Sequence, residues 1–123
     1  MPPTMEFNLT PVNPNGRPRD EVRITSICAL PYGDGRRIHL HVVLTPFQER
    51  PTLHVQVFGP SGRVAGSLSV IESDGHDIEL TVHVRGVIEP GLHRVQAVLQ
   101  YGEDSPQDAA ETALEIAPSS TYY

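Results

Sequence analysis

The chain has 123 residues, 38% of them hydrophobic, with 12 Pro, 10 Gly, one Cys and no Trp. That length suits one domain with a core of its own, and a single cysteine excludes an internal disulfide. The formal net charge is −6 and all nine basic residues are Arg, which excludes the basic footprint that nucleic acid or an anionic membrane surface requires. Met1 to Pro18 shows no charged segment followed by an apolar one, so no signal peptide is expected and a cytoplasmic location is. The longest apolar run falls far short of the ~20 residues of a spanning helix.

Residues 1–20 are rich in Pro and Asn and read as an extended lead-in. Glu6 to Val12 within it could form a short edge strand, since Pro confines strands to edges. The first firm strand is expected over 21–30. Val22 and Ile24 alternate there with Arg23 and Thr25, while Ile27, Cys28 and Ala29 leave the facing open: either a bulge sits there or both faces are covered. Asp34-Gly35 is a hairpin turn signal and leads to a strand over 36–45. Ile38, Leu40, Val42 and Leu44 recur there with the period of two that marks one buried face.

Pro46 to Pro51 marks a crossing between sheets, with Phe47 expected to tuck under its own loop. Leu53, Val55 and Val57 define a strand over 52–58. Gly59-Pro60-Ser61-Gly62 supplies a turn, and Val64, Gly66, Leu68 and Val70 alternate in the next strand, 63–72. Glu72, Asp74 and Asp77 surround Gly75 and read as a charged turn, because the oxygen-ligand spacing of a calcium loop is missing. Ile78, Leu80, Val82 and Val84 face inward over 77–85; His93, Val95, Ala97, Leu99 and Tyr101 do so over 92–101. Ser105-Pro106-Gln107-Asp108 resembles a helix start, but Thr112, Leu114 and Ile116 alternate. A strand over 111–117 is expected, with a single helical turn before it. Residues 118–123 read as a flexible tail.

The result is an all-β chain: an immunoglobulin-like β-sandwich of about seven antiparallel strands in two sheets, over residues 21–117. One local motif carries a resemblance. Ile88-Glu89-Pro90-Gly91-Leu92-His93-Arg94-Val95-Gln96-Ala97 resembles the approach to the sixth strand in bacterial immunoglobulin-like and fibronectin type III-like domains. In those domains a Pro-Gly turn leads to a Tyr whose hydroxyl bonds back to the preceding corner. The resemblance implies that His93, standing at that place, is buried and donates to a backbone carbonyl. The chain departs from the pattern in having no disulfide pair, no Trp and no Tyr at the corner, which separates it from antibody-type domains. The fold hosts many functions, so the resemblance names none.

Candidate chemistry is sparse. His39 and His41 lie on the outward face of the second strand, and His83 lies outward on the fifth, its expected sheet neighbour. A His-x-His pair with a third imidazole beside it is a Zn²⁺-binding arrangement, with Glu79 as a fourth ligand. The plainer reading is a solvated polar face, and no cofactor is expected. His54 falls on the other sheet and does not join. Cys28 is expected to be buried and therefore inert. Ser61, Ser67 and Ser69 lack a nucleophile elbow, and no Gly-rich loop precedes a helix. These residues point to a non-enzymatic protein-interaction or structural module. The alternatives are a metal- or small-ligand-binding domain using His39, His41 and His83, or a homodimer formed through an edge strand or the outward face bearing Val43.

Overall fold

The computed structural model of the chain describes residues 16–33 and 36–117. The edge strand considered at Glu6–Val12, the Asp34-Gly35 turn and the tail 118–123 lie outside the described residues. A one-turn 3-10 helix (Arg19–Glu21) leads to seven strands: β1 (Ile24–Pro31), β2 (Arg37–Leu44), β3 (Thr52–Phe58), β4 (Val64–Val70), β5 (Asp77–His83), β6 (Gly91–Gln100) and β7 (Asp108–Ile116). They form two antiparallel sheets, in the orders β1-β2-β5 and β4-β3-β6-β7. The expected β-sandwich is therefore the observed one, with the chain crossing between sheets at Pro46–Pro51.

Alternation builds the core. Ile38, Leu40, Val42 and Leu44 of β2 meet Leu53, Val55 and Val57 of β3 and Val95, Ala97 and Leu99 of β6 between the sheets. All are essentially removed from water. At roughly 1.5–3 kcal/mol for each large aliphatic side chain so buried, this layer is the main source of stability. Phe47 is buried under its loop, as expected. The lead-in docks on the same loop through hydrogen bonds from Arg17 N to Pro46 O (2.8 Å) and from Gln48 N to Arg17 O (3.0 Å).

Two bulges revise the expected facings. The β1–β2 register shifts between Ile24 and Ser26, earlier than the residues that left the facing open. One extra residue resets the period of two, so Val22 and Ala29 both point inward and Cys28 is exposed rather than buried. In β4 the register shifts where Phe58 pairs with Val64 and Val57 with Gly66. Ala65 is the residue gained; it turns inward, leaving Val64 46% exposed. The last strand starts at Asp108 with no helical turn before it, because Ala109 and Ala110 pair with Val98 and Ala97 of β6. Ladder pairing outweighs a local helix-start signal there.

The flanks of the sandwich are stitched. On one, Ile24 N donates to Asp108 Oδ2 at 2.9 Å, linking β1 to β7. On the other, Arg85 N donates to Ala65 O at 2.7 Å. Here the sheets come so close that a Cβ on Gly66 would sit 2.5 Å from His83 O. Only glycine fits such a backbone approach.

Candidate functional site

The outer face of the β1-β2-β5 sheet carries the residues singled out as metal ligands. His41 lies opposite Cys28 on one side and Glu79 on the other, and His39 lies between Leu30 and Thr81. His39 Nε2 is 3.2 Å from Glu79 Oε1, and His41 Nε2 is 2.6 Å from Asp77 Oδ1. Each imidazole is thus held by a carboxylate one step along the neighbouring strand. His83 pairs with Arg37, two same-face positions away from His41's partner. At about 6.6 Å per same-face step, His41 and His83 stand roughly 13 Å apart along the sheet. Among the described residues no group of three or more His, Cys, Asp or Glu side chains is disposed to hold a metal ion. His39 and His41 are successive residues of one outward face, and His83 lies one same-face step from His39's partner Thr81 but two from His41's. His54 is on the other sheet, with Nδ1 2.7 Å from Ser69 Oγ.

His93 is buried, with its Nδ1 3.1 Å from Gly91 O. A carbonyl only accepts, so Nδ1 carries the proton and donates. This is the place where the sandwiches that the motif resembles carry a tyrosine bonded back to the corner; here an imidazole makes a local bond to a backbone carbonyl. Gly91, two residues before it, adopts φ +124°, a region that favours glycine.

At the opposite end of β6 a tyrosine does form such a tie. Tyr101 is 5% exposed and its hydroxyl donates to Glu49 O at 3.0 Å. Burial, reinforced by the nearby Glu49 carboxylate, pushes its phenol up to about 12. The Arg19 guanidinium lies 5.0 Å from the ring centroid and bonds both Glu49, at 2.6 Å, and Asp104, at 3.1 Å. Its hydrogen bond holds the Glu49 carboxyl below the usual range, against a smaller opposing effect of burial. This clamp joins the lead-in to the loops after β2 and β6, and sequence reasoning did not single it out. The available signal was Tyr101 itself, an inward position whose buried hydroxyl needs a partner. A second clamp holds the other end, where Glu89 accepts from Ser61 Oγ at 3.1 Å and Arg63 Nε at 3.2 Å. The Ser61 hydroxyl first, then Arg63, lowers the Glu89 carboxyl.

The outer face of the β4-β3-β6-β7 sheet is built differently. Gln56 lies opposite Ser67 and Gln96, and Phe58 lies opposite Val64 and Arg94. Arg94 covers Phe58, 4.9 Å from its centroid, and pairs with Glu111 at 3.1 Å. Leu92, 60% exposed, borders them on the same face. Amides, hydroxyls and apolar groups dominate; Arg94 is paired with Glu111, and Glu115 lies opposite Leu92 on the edge strand.

No protein-family model and no curated protein matches the chain. Solved structures do match. A glycosyl hydrolase family 2 member from Bacteroides cellulosilyticus superposes over 77% of this chain with a TM-score of 0.56 and 12% identity. A β-glucuronidase from Bifidobacterium dentium does so over 77%, at 0.54 and 17%, and one from Lactobacillus rhamnosus over 78%, at 0.50 and 14%. The likeness is one of fold. The match takes up only 15%, 18% and 16% of those chains, so it reaches a single sandwich-like part of each large enzyme.

Proposed function

We propose that this chain is a non-enzymatic interaction or structural module: a rigid sandwich that presents a face to another protein surface. The observation that carries the reading is the outer face of the four-stranded sheet. A surface whose middle is amide and hydroxyl groups, with Arg94 paired to Glu111 and Glu115 set on the edge strand, can lose its water there at little cost, and the centres of protein interfaces are depleted of charge in the same way. The fate of the reactive groups supports it too: His93 is committed to a backbone carbonyl, Tyr101 to another, and His39 and His41 to carboxylates. Solved structures of similar fold include small parts of glycoside hydrolase chains, which fits an accessory unit. The test is direct. The purified chain should hydrolyse 4-nitrophenyl β-glucuronide no faster than buffer; turnover that disappears with a single substitution in this chain would overturn the reading.

A second reading is a transition-metal site on the other face. It is supported by the register that makes His39 and His41 successive residues of one outward face, each with its Nε2 beside a carboxylate of β5. An ion there would take the imidazole Nε2 atoms from Glu79 and Asp77. Zn²⁺ titration of the wild type and His39→Ala decides this: a real site loses at least tenfold in affinity, and equal affinities dispose of it.

A further inference from the structure

Building on the interaction-module reading, we propose that the outer face of the four-stranded sheet is a self-association face, and that its occupant is a second copy of this chain. The two copies are related by a two-fold axis passing close to Gln56 and Gln96. Three features of the molecule select this occupant over others.

The first is self-complementarity. Gln56 and Gln96 face each other on β3 and β6, the two central strands of the sheet, so they occupy the middle of the face. An isologous dimer lays a surface against itself. A carboxylate or guanidinium at its centre would meet its own like charge. A carboxamide is both donor and acceptor, so a glutamine near the axis can donate to its mate and accept from it. Ser67, beside Gln56, has the same dual capacity.

Charge is the second feature. The chain carries a formal −6, so two copies repel unless they meet where charge is lowest. On this face Arg94 is matched by Glu111 at 3.1 Å, and the pair can enter an interface already compensated; the other outward carboxylate, Glu115, stands opposite Leu92 on the edge strand β7, away from the axis. By contrast the opposite face sets Asp77 and Glu79 beside His41 and His39, an arrangement that docking of a like copy would force together.

The third feature is area. Four strands at about 4.8 Å spacing and seven residues at about 3.3 Å give a footprint of roughly 450 Å² per copy. Two copies then bury about 900 Å², below the range of stable specific interfaces and within that of weak, transient ones. Exposed Leu92 and Val64, with Phe58 between Val64 and Arg94, supply the apolar part at one end of the face. The dimer is therefore reversible and concentration-dependent, with a dissociation constant in the micromolar to millimolar range.

Sedimentation velocity from micromolar to millimolar protein tests the proposal, with amide chemical-shift changes on dilution locating the surface. The wild type should pass from monomer to dimer, with the shifts confined to β3, β6 and their neighbours. Gln96→Arg should raise the dissociation constant at least tenfold, as should Gln96→Glu, while an equimolar mixture of the two restores association through opposite charges. Val43→Glu, on the other outer face, should dimerise like the wild type. Far-ultraviolet dichroism and melting of each variant confirm folding. A monomer at every concentration overturns the proposal while leaving the non-enzymatic reading to its own hydrolysis assay. Association that survives Gln96→Arg, or is lost in Val43→Glu alone, overturns it equally by moving the contact to another surface.

Discussion

The inner sides of the two sheets are nearly interchangeable; their outer sides are not. Inside, both present alternating Val, Leu and Ile with almost no exposure. Outside, the three-stranded sheet pairs His39 with Glu79 and His41 with Asp77, while the four-stranded sheet sets Gln56 against Gln96 and packs Arg94 on Phe58. Exposed ion pairs contribute about 0–1 kcal/mol each and are at home in water. A face of amides and apolar groups resists desolvation less, because fewer charges must shed their hydration. The same strand architecture therefore supports one face suited to remaining wet and one suited to being covered. The fold is held by what lies between them, and substitutions should separate these roles cleanly.

The largest loss should come where the sheets touch. In Gly66→Val, the new Cβ would sit 2.5 Å from the His83 carbonyl oxygen, and backbone cannot swing aside as a side chain can. A destabilisation of about 3 kcal/mol or more is expected by urea denaturation, and it should loosen both faces together. An unchanged midpoint would mean that the flanks are not rigidly joined. Next comes His93→Leu. It keeps the bulk but deletes the donor to Gly91 O, at a cost of about 1–3 kcal/mol for a buried carbonyl left unpaired. A loss this large from one inward polar residue would show that the four-stranded sheet depends on its corner as well as on its apolar layer.

The alternation of Ile38–Leu44, Leu53–Val57 and Ile78–Val84 is visible in the sequence because a half-buried strand must repeat every second residue. Seven strands and the place of the crossing between sheets follow from that period and the turn residues; the β2–β5 neighbourhood follows only from the immunoglobulin-like arrangement that the strand count resembles. What escaped was whatever depended on a shift of that period. The bulges at Ile24/Ser26 and Val57/Phe58 reverse Cys28 and Val64 because one inserted residue inverts everything beyond it. The same limit applies to the site. That His39 and His41 share an outward face was legible, but that His83 lies diagonal to His39 and two same-face steps from His41's partner depends on register, which only the paired strands reveal. The clamp of Arg19, Glu49, Tyr101 and Asp104 joins residues far apart in the chain, and no local pattern announces it.

That clamp yields the third prediction. Tyr101→Phe removes the bond to Glu49 O and should destabilise the fold by about 1 kcal/mol at neutral pH. Alkaline behaviour sharpens it. The phenol stands at about 12 in the folded protein, against about 10 in an unfolded chain. Its folded value is raised, so the neutral hydroxyl's contribution is complete below pH ~10 and is lost as pH climbs through ~12. Wild type should lose stability across that window, and Tyr101→Phe should lose distinctly less. Parallel curves for the two proteins would show that the phenol is not the group responsible.

The smallest effect is the most pointed, because it asks whether the wet face contributes to the fold at all. A double-mutant cycle on His41 and Asp77, 2.6 Å apart, should give a coupling under about 1 kcal/mol, shrinking further as salt is added. Both side chains are more than a third exposed, so water competes for each. A coupling of several kcal/mol would mean that this face is shielded from solvent, and the contrast with the four-stranded sheet would collapse. A weak, salt-sensitive coupling, beside unchanged sedimentation of His41→Ala, would leave the two outer faces as distinct as their residues make them: one held open to solvent by its charges, the other free to meet its own copy.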